Sequence, residues 1–230
     1  MCGRFTLTAE MNTLQATFPW LIIPEGLAPR YNVAPSQPVA VVPNDGKNNL
    51  DFYIWGLVPF WAKDPKIGNR MINARAETLA EKPSFKHAFR RRRCLVLADG
   101  FYEWQRKQNT SGSKSAGAKT PMYIKMSTGE PFAFAGLWEE WNSPDGSRLL
   151  SCNIITTEPN ELVGQIHNRM PVILPTDAYQ AWLDPQEREP NELSQLLVPY
   201  PTDQMVAHPV SKQVNNPTND LPICVQPITE

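Results

Sequence analysis

The apolar positions of this chain fall mostly into short runs with period two, and turn residues separate them. Alternation over 39–42 and 50–55, joined by Asn44-Asp45-Gly46-Lys47, predicts a β-hairpin. The run 94–98 is continuously apolar and reads as a buried strand that turns at Asp99-Gly100 into 101–104. Residues 121–126, 132–138 and 149–157 read as three more strands, the last two joined through Pro144-Asp145-Gly146. Shorter strands are expected at 172–174 and 205–214. Helical spacing is confined to brief stretches at 8–18 (with Thr8 as N-cap), 84–91, 160–165, 176–183 and 190–197, with cap candidates at Thr176 and Asp184. Residues 56–63 hold too much Trp and Pro for regular structure and read as a loop presenting large rings, while 107–119 is Ser/Gly/Lys-rich and reads as a flexible insertion. With no repeat and no clear linker, the pattern predicts one α+β domain over 1–230. Its short, mostly antiparallel strands should form a twisted, barrel-like sheet with peripheral short helices.

Composition sharpens this. Of 230 residues, 23 are proline, about twice the usual ~5%, which favours turns and short elements. Twenty-two Lys and Arg against 23 Asp and Glu leave a net charge of −1, so non-specific coating of duplex DNA is excluded and any nucleic-acid contact must be local. No run approaches a membrane span or a signal-peptide core, so a cytoplasmic protein with reduced thiols and no membrane partner is expected. The four cysteines at 2, 94, 152 and 224 lack ligand spacing, and no phosphate-binding glycine pattern appears; neither a metal nor a cofactor is implied. Cys94 and Cys152 lie in apolar strands and read as small buried hydrophobes.

The candidate chemistry starts at the N-terminus. Removal of Met1 would leave Cys2 with a free α-amine beside its thiol, a pair that condenses with an aldehyde to an imine and then closes a thiazolidine ring. The alternative is a frayed chain end. Arg4 projects from the same side as Cys2 in an extended segment, placed to hold a phosphate. Glu103 stands among Phe101, Tyr102 and Trp104, where desolvation would raise its pKa for proton transfer; it could equally be a polar-face Glu on a half-buried strand. His167, one of three histidines, is followed by Arg169 on the same side and is either structural or catalytic. Asn73 and Arg75 repeat that spacing, though Arg75 with Glu77 could be a surface pair. Arg90–Arg93 read first as a solvated helix end and second as a phosphate contact. Trp61 is either core or a base-stacking surface.

Taken together, the stretches CGRF (2–5), YNVAP (31–35), WGLVPFWA (55–62), NARAET (73–78), ADGFYEW (98–104), Thr156-Thr157, HNRMP (167–171), Val210-Ser211 and 214–216 resemble the SOS-response-associated peptidase family, in that family's order and over nearly the whole chain. The resemblance implies a protein that shields abasic sites in single-stranded DNA. Cys2 would be the nucleophile, Glu103 and His167 the acid–base pair and Asn73 a hydrogen-bonding positioner. Arg4, Pro35, Trp61, Arg75, Thr156 and Arg169 would contact DNA. It further implies a covalent thiazolidine link, autoproteolytic loss of Met1, possible lyase activity, and a monomer without an obligatory protein partner. Two departures stand out: 107–119 is longer than the family's usual link, and Leu97 replaces a common proline. Rival readings are a thiol peptidase acting in trans and a non-covalent single-strand binder.

Overall fold

The computed structural model describes residues 2–106 and 119–228. In chain order its strands and helices are β1 (Phe5–Leu7), α1 (Met11–Thr17), β2 (Arg30–Val33), β3 (Pro38–Pro43), β4 (Asp51–Trp55), β5 (Asn73–Arg75), α2 (Lys86–Arg91), β6 (Arg93–Ala98), β7 (Gly100–Arg106), β8 (Lys119–Met126), β9 (Phe132–Asn142), β10 (Arg148–Thr157), α3 (Glu161–Gly164), β11 (Met170–Pro171), β12 (Ile173–Leu174), α4 (Tyr179–Trp182), α5 (Pro190–Ser194) and β13 (Met205–Pro209). Strands dominate and the helices are short, as the proline content demands. The expected insertion at 107–118 lies outside the described residues, and Lys119 already belongs to β8.

Strands β10, β4, β3, β6 and β9 close on themselves, because β9 also pairs with β10, and form a five-stranded barrel. All neighbours in it are antiparallel except β4 and β10, which run parallel with Cys152 opposite Trp55. A second sheet has the order β13-β8-β7-β1-β2. The chain passes from the barrel to this sheet at Asp99, between β6 and β7. Both faces of β6 are covered, which is why 94–98 is uniformly apolar. One face packs inward with Val41, Trp55, Phe134 and Cys152, and Phe5 of β1 sits edge-on to Trp55 at 5.1 Å. The other face packs against α1 and α4 through Leu14, Phe18, Tyr179 and Trp182. Cys94 and Cys152 are both fully buried, as expected of small hydrophobes.

Three local expectations are corrected. Thr8 does not cap α1, which begins at Met11 after Glu10; the Thr8 hydroxyl and amide both donate to Asp99 instead. The last strand stops at Pro209; the Val210 amide still donates to the Pro121 carbonyl at 3.0 Å, but Pro121 has no N–H to return the bond, and Ser211 then caps a short 3-10 turn over Lys212–Asn215. The four-arginine run is a solvated helix end only in part: Arg90 and Arg91 form the last turn of α2, with Arg91 exposed, but the run turns inward toward β6. Arg90 and Arg91 pair with Glu187, Arg92 pairs with the buried Glu139, and Arg93 is fully buried. The Arg93 guanidinium donates to the carbonyls of Trp182, Phe89, Arg90, Asp184 and Gln186, and burial lowers its pKa to about 10. Its five N–H groups tie the start of β6 to the end of α2, the end of α4 and the segment that follows.

Candidate active site

The N-terminus is built into the molecule. Strand β1 is flanked on both sides, by β2 through Phe5–Val33 and by β7 through Phe5–Phe101 and Thr6–Gly100. The Tyr102 amide donates to the Arg4 carbonyl at 3.0 Å, so the ladder continues toward Cys2. Cys2 is 0% exposed and its side chain joins the cluster around Trp55 and Phe134. Its Sγ lies 3.8 Å from the Arg4 carbonyl, and burial, reinforced by the Glu103 charge, pushes the thiol well above its ordinary pKa.

Three strands converge on this residue. β10 pairs in parallel with β5, setting Asn73 opposite Ile154 and Arg75 opposite Thr156. From that position Asn73 Nδ2 donates to the Cys2 carbonyl at 2.7 Å; Asn73 Oδ1 is buried and has no hydrogen-bond partner among the described residues. Period-two alternation along β7 turns Phe101 and Glu103 toward the barrel side, while Tyr102 and Trp104 pack with Val214 and Cys224. Glu103 is buried, and burial holds its carboxyl above the usual range against an opposing pull from His167. The far end of β10 pairs with β11, Thr157 opposite Met170, and this places the turn 166–169 beside the site. That turn is set by α3, capped by Asn160 Oδ1 on the Val163 amide at 2.9 Å, with the His167 amide donating to the Val163 carbonyl. The Arg169 amide donates to His167 Nδ1 at 3.1 Å, and the Arg169 carbonyl lies 3.3 Å from the same nitrogen, so residue 169 fixes the orientation of the ring.

The six residues with expected DNA contacts divide into two groups. Arg75 and Trp61 reach solvent. Trp61 is 49% exposed beside Phe60 at 53%, and their loop is seated by Trp141 Nε1 donating to the Ala62 carbonyl at 2.7 Å and by Phe60 against His87 at 5.5 Å. A side chain at Gly68 would come within 2.5 Å of the Gly56 carbonyl, so glycine there lets the base of this loop close tightly. Pro35 is half-buried in a turn whose next residue, Ser36, has φ +68°. The others are already engaged within the protein. Arg4 donates to Asn32 Oδ1 at 2.7 Å and to the Val214 carbonyl at 2.6 Å, and lies over the Trp104 ring. Arg169 grips Glu77 with both terminal nitrogens and donates to the Thr156 carbonyl at 2.6 Å, so Glu77 pairs with Arg169 rather than with Arg75. The Thr156 side chain is buried, its hydroxyl 3.4 Å from the Ala74 carbonyl. Residues that sequence reasoning passed over include Asn32, Asn215 and Asp99; the Asp99-Gly100 pair signalled only a turn.

Comparison with known proteins decides the lineage. A family model described as SOS response associated peptidase (SRAP) matches residues 1–217. The chain belongs to that family. Among SRAP relatives, the abasic site processing protein YoqW of Bacillus subtilis (strain 168) is 49% identical over 229 residues, covering 98% of this chain and 99% of its own. The abasic site processing protein HMCES of Rattus norvegicus is 36% identical over 239 residues, covering 89% of this chain and 66% of its own. A crystal structure from Bacteroides thetaiotaomicron superposes with a TM-score of 0.83 at 26% identity, covering 99% of this chain and all of the other. No helix among the described residues is long and apolar enough to cross a membrane.

Proposed function

We propose that this SRAP protein processes abasic sites in single-stranded DNA by joining its N-terminal cysteine covalently to the ring-opened sugar. The observation that carries this reading is the seating of Cys2. A chain end that would ordinarily fray is fully buried, bonded by Asn73, and close enough to Glu103 for that charge to act on its thiol. The relatives named for abasic-site processing support the choice of target.

In this mechanism water first cleaves the Met1–Cys2 peptide bond, methionine leaves with the new carboxylate, and the α-amine of Cys2 is freed. His167 gives a proton to the sugar ring oxygen while the C1 hydroxyl loses its proton to water, and the hemiacetal opens to the aldehyde. The amine adds to the aldehyde carbon to give a carbinolamine. Glu103, whose carboxyl pKa burial raises, gives a proton to the departing hydroxyl, which leaves as water; the iminium returns a proton to the Glu103 carboxylate and an imine remains. The thiol sulfur then bonds to the imine carbon, its proton passes to the nitrogen, and the thiazolidine is complete. Asn73 keeps the Cys2 carbonyl fixed throughout. A thiol peptidase acting in trans would cleave peptides and leave no adduct on abasic DNA, so a denaturing gel separates it from this reading.

The deciding experiment incubates the purified protein with a single-stranded oligonucleotide carrying one abasic site and runs a denaturing gel. A retarded band that survives heat supports the covalent reading, and its absence overturns it. The active protein is expected to be lighter than the encoded chain by one methionine. Uniform retention of Met1 by intact-mass spectrometry in crosslinking-competent protein would rule out the amine as the reacting group. Among the cationic candidates, Arg75 is exposed beside the site. Arg75→Ala is therefore expected to weaken binding of single-stranded DNA and to lower the salt dependence by about one phosphate contact, while the crosslinking rate on saturating DNA holds. Fluorescence anisotropy over a salt series measures both.

A further inference from the structure

A nucleophile on a chain end needs more than backbone pairing to stay in place. Strand β1 has three residues, and its register to β2 shifts between Phe5 and Leu7, so the ladder is interrupted at Thr6. On its other edge, beside β7, the same segment is held by the side chain of Asp99. One carboxylate oxygen, Oδ2, accepts the Thr8 amide at 2.5 Å, the Thr8 hydroxyl at 2.7 Å and the Ala9 amide at 2.8 Å; the other, Oδ1, accepts a short bond from the Thr6 hydroxyl. The Asp99 amide returns a bond to the Thr6 carbonyl at 3.0 Å. The Thr6 hydroxyl lies 2.9 Å from the Tyr123 hydroxyl, and Tyr123 occupies the space that any side chain at Gly100 would fill. Asp99 is 5% exposed and forms no ion pair among the described residues. Its burial is thus compensated by donors drawn from the N-terminal segment.

We infer that Asp99 is the positioning residue of the N-terminal nucleophile: its carboxylate fastens residues 6–9, so that the amine and thiol of Cys2 stay in register with Asn73 and Glu103 after Met1 is lost. The inference rests on the covalent reading above and adds to it a residue that never touches DNA. Its chemistry is specific to a carboxylate. An amide of the same shape would turn N–H toward the Thr8 and Ala9 donors or toward the Thr6 hydroxyl.

The test measures crosslinking to saturating abasic single-stranded DNA, per folded molecule, alongside hydrogen exchange of the amides at 6–9. Asp99→Asn and the isosteric Thr6→Val are expected to crosslink roughly 10- to 100-fold more slowly and to exchange faster at 6–9, whereas Thr6→Ser keeps the hydroxyl and restores a rate near wild type. Val42→Ala, a core truncation where β3 meets β6, controls for general destabilisation; it is expected to lower the melting temperature and leave the per-molecule rate unchanged. If Asp99→Asn and Thr6→Val behave like Val42→Ala, or if exchange at 6–9 is unaltered, the assignment fails. A wild-type protein that forms no adduct at all overturns the covalent reading instead, and the exchange measurement then decides the anchoring role alone.

Discussion

Cys2→Ala is expected to form no adduct that survives denaturation, at any DNA concentration or incubation time. The amine can still condense with the aldehyde, but the imine has no internal nucleophile to close on and returns to free amine by hydrolysis. Cys2→Ser separates the two steps. Its hydroxyl is a far weaker nucleophile toward the imine, so the product should appear only when borohydride reduces the C=N bond during the reaction. Binding of single-stranded DNA is expected to survive both changes, since the exposed Arg75 and Trp61 are untouched. A heat-stable band from Cys2→Ala would assign the covalent chemistry to another residue.

The second large effect is at Glu103. Replacing it by glutamine keeps size and hydrogen-bonding capacity but removes the transferable proton, and general acid–base steps are typically worth about 10²- to 10⁴-fold. Glu103→Gln is expected to slow crosslinking on saturating DNA by that order and to leave affinity nearly unchanged. The pH profile carries the sign. Attack requires the neutral α-amine, whose ordinary pKa is near ~8, so the rate rises toward that value from below. Dehydration requires protonated Glu103. Burial raises its pKa, so the acid form persists above the ordinary carboxyl range and is lost as pH climbs through the raised value. Wild type should thus show a falling limb that Glu103→Gln lacks. His167→Ala is expected to slow the reaction as well, mainly when ring opening limits the rate. Wild-type rates in both variants would return these residues to the scaffold.

Local pattern carried most of the strands. The apolar run of β6 and the alternation of β3, β4 and β9 follow from burial on one face or both, and each lies within a few residues of sequence. Alternation also set Glu103 among the aromatic residues of 101–104, and in the structure it is buried on β7. What local pattern could not supply was the identity of distant partners. The parallel register of β10 with β4 and β5 joins segments about eighty to a hundred residues apart and leaves no trace in either. Arg4 reads as a phosphate ligand until the Val214 carbonyl, 210 residues away, takes its N–H. Thr8 has the right chemistry for a helix cap, but the Asp99 carboxylate competes for the same groups. The four arginines look alike in sequence, yet one is buried and three meet acids far along the chain.

The clasp between the two ends of the domain bears on how the protein is made. Asn32 Nδ2 donates to the carbonyls of Val214, Asn216 and Asn219, Asp220 binds Arg30 and the amides of Tyr31 and Asn32, and Arg4 reaches Val214. On the ribosome Cys2 emerges first, whereas Asn73, Glu103, His167 and the 214–220 segment follow in that order. The reactive end is therefore synthesised first and seated last. A nascent chain halted before residue 214 would carry Cys2 without its clasp, so full reactivity toward abasic DNA is expected only once the 214–220 segment has been made.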